Sequence, residues 1–405
     1  MSIAVYTLTS TLHDEKAVSD ATRVFLGGLG MAYVFRGSDF SDYGSHDADL
    51  IYVRTGGTEG IFQRLLPQLR SQSQRPFLLL TSGKSNSLAA SMEILSYLRQ
   101  QGLQGEIIHA SNDYVAHRIQ LLERVGEALR TLRGCRLGII GQPSDWLISS
   151  HADAAGIQRQ LGISLIDIPM QELLDEIAIS TETSEVNPPF PCGGERCDVY
   201  LGAVAIYNAL KSLIVRHQLQ GFTLRCFDLL TAVRNTGCWA LAKLNAEGYV
   251  AGCEGDVPAM LSMMIGRALS GVSGFQANPA SINPETGEMF FAHCTIPLNM
   301  VERYELDTHF ESGIGVGIRG YMKEGPVTLF KVAGDLSRCF IAEGQLLRNQ
   351  SEPDLCRTQQ VIRLADPSLT RYFLTCPIGN HHIIFPGHHR EEFEELITTI
   401  NPIVK

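Results

Sequence analysis

Two carboxylates flank a glycine at the end of one apolar stretch of the sequence. In GYVAGCEGD, Glu254 and Asp256 come directly after an apolar run and just before a helix that begins near Pro258. An aspartate in this place caps a helix, because its side chain accepts a hydrogen bond from an early backbone N–H. Capping accounts for Asp256 but not for Glu254, so Glu254 is the first candidate for chemistry.

Four more potential metal ligands follow or interrupt apolar stretches. Asp228 follows one such run, His293 interrupts FFAHCTIP, and His381 and His382 lie between a Gly-Asn turn and IIFP. Each histidine alone could be a hydrogen-bonded residue of the core. Carboxylate oxygens combined with one or two imidazoles suit Mn²⁺, Mg²⁺ or a similar divalent ion better than a thiolate-seeking metal. The sequence therefore predicts a divalent-metal site.

The elements that must position these residues change in type along the chain. At first, continuous apolar strands alternate with amphipathic helices, the pattern of a parallel sheet covered on both faces. After about residue 275, short strands separated by Gly and Pro turns indicate an antiparallel sheet or small barrel. The predicted fold is α/β, with two doubly wound parallel-sheet domains followed by a C-terminal antiparallel β-barrel-like domain. The predicted boundaries are residues 1–134, residues 135–275 with the carboxylates, and residues 276–405 with the histidines.

Polar loops follow several of the predicted strands. Arg54 and Glu59 lie in RTGGTE after DLIYV, and Trp146 lies in GQPSDW after RLGII. Ligands bind beyond the carboxyl ends of the strands in open parallel sheets, so these loops are candidates for one common cleft. A structural role is the alternative in each case. Glu59 also suits the first turn of a helix, and Trp146 also suits a core or loop anchor.

Composition restricts the classes of function. The 405 residues are 44% apolar and 19% charged, as in an ordinary globular protein. The formal charge is −10 and no Lys/Arg block is present, so a nucleic-acid partner is not expected. The N-terminal sequence lacks the layout of a signal peptide, and no apolar run approaches the ~20 residues of a membrane span. We therefore expect a cytoplasmic protein with no membrane partner.

The cysteines support the same expectation. The sequence contains ten, and most of them lie in apolar stretches, which predicts buried free thiols in a reducing compartment. The one close pair, Cys192 and Cys197 in PCGGERC, has no second pair to complete a zinc site. A structural zinc is therefore not expected there.

Several motifs resemble the L-fucose isomerase and L-arabinose isomerase superfamily, especially its shorter members. The matching stretches are GFTLRCFDLL, GCWALAKLNAEGYVAGCEGD, FFAHCTIP and GNHHIIF. The resemblance implies a Mn²⁺-dependent aldose–ketose isomerase that works through a cis-enediol. It also implies a homo-oligomer, a trimer or hexamer, whose site is completed by a neighbouring subunit.

The resemblance also implies site residues. Glu254 matches the glutamate of the EGD motif and His293 matches the strand histidine. His382 matches the second histidine of the HH pair and is preferred over His381 as the metal ligand, which leaves His381 to contact the substrate. The family motif FTTNFEDL places its catalytic glutamate opposite Phe227, and Asp228 matches the aspartate that follows. Either Asp228 takes over the catalytic role beside Glu254, or one catalytic carboxylate is missing.

The substrate implied is a monosaccharide, for which a substituted or sulfonated hexose is one candidate. Arg54, Glu59, Trp146 and Arg357 are candidates for holding its hydroxyls or a terminal anionic group. Two other functions remain open. One is a non-catalytic sugar-binding or regulatory protein on the same scaffold, which the unmatched glutamate favours. The other is a lyase or epimerase that uses the same enediolate chemistry.

Overall fold

The chain divides into two compact units. The computed structural model describes residues 3–180 and 194–400. Unit 1 consists of residues 3–130 and 395–400 of the described chain, and unit 2 consists of residues 131–394. The division falls inside two helices, so each unit contains complete strands.

Unit 1 is a five-stranded parallel sheet covered by helices. Its strands follow the order β2-β1-β3-β4-β5. The strands are β1 (Ile3–Leu8), β2 (Val34–Gly37), β3 (Ala48–Val53), β4 (Phe77–Leu80) and β5 (Gly105–Ile108). The helices are α1 (Glu15–Gly27), α2 (Glu59–Gln72), α3 (Ser87–Gln100) and α4 (Asn112–Leu132), which ends just beyond the unit. All six residues of β1 and of β3 are buried, because helices cover both faces of the sheet.

Unit 2 begins with a second parallel sheet in the order β7-β6-β8-β9. Its strands are β6 (Arg136–Ile140), β7 (Ser164–Ile168), β8 (Gly221–Leu224) and β9 (Val250–Cys253). Its helices are α5 (Ala154–Leu161), α6 (Met170–Ile179), α7 (Glu195–His217), α8 (Asp228–Ala232), α9 (Cys238–Ala246) and α10 (Val257–Ser270). The loops after β6, β8 and β9 therefore leave the same edge of one sheet, and two of them hold the predicted carboxylates.

The rest of unit 2 is mostly antiparallel. Six strands form a closed barrel in the order β10-β11-β16-β15-β14-β17. They are β10 (Phe275–Ile282), β11 (Glu288–His293), β14 (Gly325–Val332), β15 (Cys339–Asn349), β16 (Thr358–Leu364) and β17 (His382–Pro386). The separate hairpin β12 (Arg303–Asp307) and β13 (Gly317–Tyr321) and the helices α11 (Thr370–Thr375) and α12 (Arg390–Ile400) complete the described chain. One apolar core joins the sheet and the barrel, with Phe222 and Leu224 on one side and Phe275 and Ile384 on the other.

The predicted fold class is confirmed, since parallel α/β sheets precede an antiparallel barrel. The division into two compact units does not decide whether the chain has the three predicted domains. The boundary at residue 134 lies near the end of unit 1, whereas the boundary at residue 275 lies inside unit 2 and stays a prediction.

Eight described cysteines are free thiols, and five of them are buried. Cys197 is disulfide-bonded. The other cysteine of PCGGERC, Cys192, lies outside the described residues.

One described helix, α7, is long and apolar enough to cross a membrane. Half of its most apolar window is nevertheless buried inside the protein. Tyr200, Leu210 and Leu213 of this helix belong to the core of unit 2. Such packing is typical of a core helix, and a core helix can be as long and as apolar as a helix that crosses a membrane.

The contact between α10 and β17 holds the second sheet against the barrel. A Cβ atom at Gly266 would lie 1.9 Å from the ring of Phe385, which is fully buried. We expect Gly266→Ala to lower the free energy of unfolding by about 1–3 kcal/mol, because an overpacked core must shift. Gly27→Ala is the matched control, since nothing lies within 4 Å of its added Cβ. Denaturant unfolding followed by circular dichroism measures both, and equal stability of the two variants would contradict this packing.

Candidate metal centre

The backbone at the end of β9 places Glu254 in an unusual conformation. Glu254 has a φ of 64° and Gly255 a φ of 71°, so two successive residues are left-handed. A Cβ atom at position 255 would lie 2.4 Å from the carbonyl oxygen of Gln142, so only glycine fits there. The Ser144 N–H donates to the Glu254 carbonyl oxygen at 2.9 Å, which joins the loops after β6 and β9. Left-handed non-glycine residues concentrate at functional sites, where the surrounding structure enforces the strain.

The carboxylate of Glu254 lies between two imidazoles and an indole. Its Oε1 atom is 3.6 Å from His293 Nε2 and 3.5 Å from His381 Nε2. Its Oε2 atom accepts a hydrogen bond from Trp146 Nε1 at 2.7 Å. The two imidazole ring centroids are 5.4 Å apart. The structure thus brings four of the predicted site residues into one cluster, and Glu254 lies at its centre.

The second nitrogen of each imidazole fixes the orientation of its ring. His381 Nδ1 is 2.8 Å from Asp256 Oδ2, and His293 Nδ1 is 3.0 Å from Thr295 Oγ1. Both Nε2 atoms are therefore directed at Glu254. His381 Nε2 is completely buried and has no hydrogen-bond partner in the described part of the chain. A histidine held through Nδ1 by a carboxylate, with Nε2 available, is the usual arrangement of a metal ligand.

Asp256 has two structural functions at once. Its Oδ1 atom accepts from the Ala259 backbone N–H at 2.8 Å, so the predicted helix cap is present at the start of α10. Its Oδ2 atom binds His381 and lies 3.4 Å from Lys331 Nζ. Burial opposes ionisation of Asp256, but Lys331 and His381 outweigh it and hold the pKa of this carboxyl below its usual value.

The cluster favours positive charge beside Glu254. Burial alone would raise the pKa of Glu254, but His381 and His293 outweigh it and hold that pKa well below its usual range. Burial alone would lower the pKa of His381, but Glu254 and Asp256 raise it to about 9. A cation between these groups is therefore electrostatically favourable, and a divalent ion would supply the same charge.

The spacing of the nitrogen and oxygen atoms fits a shared ion. Distances of 3.5 and 3.6 Å are too long for direct hydrogen bonds. Two ligand atoms that each lie about 2.1 Å from one ion, about 110° apart, are separated by about 3.4 Å. Cys253, Glu254 and His293 also form a buried group whose ligand atoms all lie within 4.8 Å of one another. The donor set therefore fits a divalent metal, and it includes a thiol that the sequence did not indicate.

His382 lies away from this cluster. Its Nε2 is 3.0 Å from the Tyr372 hydroxyl and its Nδ1 is 3.1 Å from the Asn380 carbonyl oxygen, so both ring nitrogens are engaged. Burial and the charge of Lys331 lower its pKa to about 3. Adjacent residues of an extended chain point to opposite sides, which explains why His381 faces Glu254 and His382 does not. The placement favours His381 over the sequence-based preference for His382.

Asp228 is the first residue of α8, the short helix that follows β8. Its Oδ1 atom is 3.0 Å from Arg225 Nε, and the same guanidinium binds Asp145 at 2.9 Å. The preceding residue, Phe227, packs edge-on against Trp146 with ring centroids 4.8 Å apart. Asp228 is therefore tied to the loop that carries Trp146, and Glu254 contacts the same loop through Ser144 and Trp146.

Among the other predicted substrate contacts, Trp146 belongs to the cluster, whereas Arg54, Glu59 and Arg357 do not. Trp146 is 51% exposed although its indole binds Glu254. Arg357 Nε donates to the Thr308 carbonyl oxygen at 2.8 Å. Arg54 belongs to unit 1, where it lines a cavity of about 530 Å³. Glu59 is the first residue of α2, which agrees with the alternative interpretation of Glu59 as a residue in the first turn of a helix.

Sequence reasoning missed several residues of the cluster. Lys331 appeared as a strand residue of the barrel, although it is 1% exposed and pairs with Asp256. Cys253 appeared as an ordinary core thiol, and Arg225 as one charge between apolar residues. An isolated lysine inside the apolar run VTLFKVAG was the one available signal, because buried lysines are rare unless they are paired.

Comparison with known proteins gives distant relatives. No family model matches the chain. A protein named sulfoquinovose isomerase from Clostridium sp. (strain MSTE9) is 25% identical over 231 residues, which is 53% of this chain and 49% of the relative. The sulfoquinovose isomerase of Priestia aryabhattai is 23% identical over 278 residues, 65% of this chain and 62% of the relative. The Priestia megaterium (strain ATCC 12872 / QMB1551) protein of the same name matches to the same extent.

This chain is a distant relative of sugar isomerases. The sequence matches span about half to three fifths of the length of these relatives. The names agree with the kind of enzyme that the motifs indicated, and they do not establish membership in the fucose and arabinose isomerase superfamily.

The buried pair of Asp256 and Lys331 supports the cluster. We expect Lys331→Met to lower the free energy of unfolding by about 3–5 kcal/mol, because it leaves a buried carboxylate without its ammonium partner. Lys243→Met is the matched control, since Lys243 pairs with Glu247 at 2.7 Å on the surface, and we expect a change below about 1 kcal/mol. Urea unfolding of the two variants measures both changes. A Lys331→Met protein as stable as the control would contradict the importance of the buried pair.

Proposed function

We propose that this protein is a divalent-metal-dependent aldose–ketose isomerase that acts on a sulfonated hexose. The observation that carries the proposal is the arrangement of Glu254 between the Nε2 atoms of His293 and His381, at 3.6 and 3.5 Å. The names of the distant relatives support the same reaction type.

Glu254, His293 and His381 are the proposed metal ligands. Asp256 and Thr295 hold the two imidazoles so that Nε2 faces the ion. When bound, Mn²⁺ or another divalent ion such as Mg²⁺ polarises the carbonyl group of an open-chain sugar and the hydroxyl next to it. The buried position of the three side chains limits access of water to this point.

Asp228 is the proposed proton carrier. Glu254 uses Oε1 toward the imidazoles and Oε2 toward Trp146, so neither oxygen is available as a base. Asp228 is held through Oδ1 by Arg225, which leaves Oδ2 to take a proton from one sugar carbon and return it to the adjacent one. This assigns the two carboxylates different tasks, Glu254 to bind and Asp228 to move the proton through an enediol of the sugar.

The substrate class rests on the relatives' names and on two of the predicted substrate contacts, Trp146 and Arg357. The half-exposed ring of Trp146 offers an aromatic face to a sugar, and its N–H keeps the ring beside Glu254. Arg357 is a candidate for the sulfonate, because guanidinium binds oxyanions well. Roles for Arg54 and Glu59, a homo-oligomer with a shared site, and a cytoplasmic location stay predictions.

Sulfoquinovose and Mn²⁺ provide the direct test. We expect the protein, stripped of metal and reloaded with Mn²⁺, to form the ketose in ²H₂O with deuterium incorporated at C1, as followed by NMR. Asp228→Asn should lower kcat by about 10²–10⁴-fold and leave bound Mn²⁺ unchanged, because it removes the proton carrier and not a ligand. Glu254→Gln should lose both turnover and metal. Glu285→Gln, an exposed turn residue of unit 2, is the control that should retain both.

Three results would contradict the proposal. Tight binding of the sugar without turnover would indicate a binding or regulatory protein. Exchange at C2 without ketose would indicate an epimerase or lyase. Full turnover by Asp228→Asn would remove the assigned role of Asp228.

A further inference from the structure

The thiol of Cys253 lies beside the proposed metal ligands although it plays no part in the proposed reaction. Successive side chains of a regular strand point to opposite faces. The left-handed φ of 64° at Glu254 interrupts this alternation directly after Cys253. As a result, the ligand atoms of Cys253, Glu254 and His293 all lie within 4.8 Å of one another, in a buried group.

We infer that the site has a second coordination mode, in which Cys253, Glu254 and His293 bind a thiophilic divalent cation of the Zn²⁺ or Co²⁺ class. This inference rests on the proposed metal centre, because Glu254 and His293 belong to both modes. The first mode uses His381 as its third ligand, and the second uses Cys253. The unpartnered, buried Nε2 of His381 is the independent sign that a cation binds beside Glu254.

The chemistry of the ligands separates the two modes. Thiolate, imidazole and carboxylate are the three ligand types that Zn²⁺ takes from proteins, with Zn–S near 2.3 Å and Zn–N near 2.0–2.1 Å, and three ligands leave a fourth position open. A set without the thiolate lacks the soft ligand that favours Zn²⁺, and its carboxylate oxygen suits Mn²⁺ and Mg²⁺. Binding in the second mode forms a metal–sulfur bond and releases the Sγ proton of Cys253 to solvent, with no change in oxidation state.

The second mode has a consequence for activity. Zn²⁺ binds nitrogen and sulfur donors more tightly than Mn²⁺ does, so a thiolate ligand strengthens this preference. A cation drawn toward Cys253 moves away from His381. The site therefore selects against Mn²⁺ when Zn²⁺ is present, and Zn²⁺ acts as an inhibitor of the Mn²⁺-loaded protein.

Cobalt spectroscopy on the full chain tests the inference. One equivalent of Co²⁺ added to the metal-free protein should give a thiolate-to-cobalt charge-transfer band in the near ultraviolet together with visible d–d bands. Cys253→Ser should lose the charge-transfer band, keep the d–d bands and bind Zn²⁺ at least about 100-fold more weakly. Its affinity for Mn²⁺ should stay unchanged.

Cys226→Ser is the matched control, because Cys226 is also buried and its Sγ lies 3.0 Å from that of Cys253. This variant should retain the charge-transfer band. Two outcomes would overturn the inference and leave the proposed isomerase site intact. One is that the unmodified protein shows cobalt d–d bands without a charge-transfer band. The other is that the charge-transfer band survives in Cys253→Ser. Failure to bind any cobalt would overturn both the inference and the proposed site.

Discussion

The buried carboxylate of Asp256 connects the fold to the candidate site. It caps α10, it accepts a hydrogen bond from His381 Nδ1, and it lies beside the buried ammonium of Lys331. These three partners come from α10, from the chain before β17, and from β14. An ion pair of this kind costs desolvation energy, which good geometry and further hydrogen bonds offset. The result is one orientation of His381, the imidazole that faces Glu254.

Much of the architecture followed from the sequence, because periodicity alone distinguishes helix-covered parallel strands from a barrel of short strands. The continuous apolar runs before Gly134 correspond to the five strands of unit 1. The loop GQPSDW follows β6, and the next helix, α5, begins only at Ala154. Gln142 and Pro143 pack against Gly255, a contact between distant loops that no local pattern can show.

The candidate site was predictable by residue type but not by orientation. Glu254 follows and His293 ends a strand that the sequence shows clearly, and the structure brings the two side chains together. The choice between His381 and His382 depends on which side of β17 faces Glu254. A shift of one residue in the register of the strand reverses the side to which each side chain points, and the HH motif does not specify the register. Lys331 was equally hidden, because its partner is 75 residues away in the sequence.

Asp228 shows how the site could work without the glutamate that the resemblance expected. Arg225 ties it to the loop of Trp146, and Phe227 fills the space beside that indole. Binding and proton transfer are then divided between two loops of one sheet, which agrees with the general position of ligands in parallel α/β sheets.

Anomalous X-ray scattering from crystals soaked in Mn²⁺ tests the central claim most directly. The account predicts one manganese peak within about 2.5 Å of Glu254 Oε1, His293 Nε2 and His381 Nε2. A peak bound by His382, or no peak near Glu254, would contradict it.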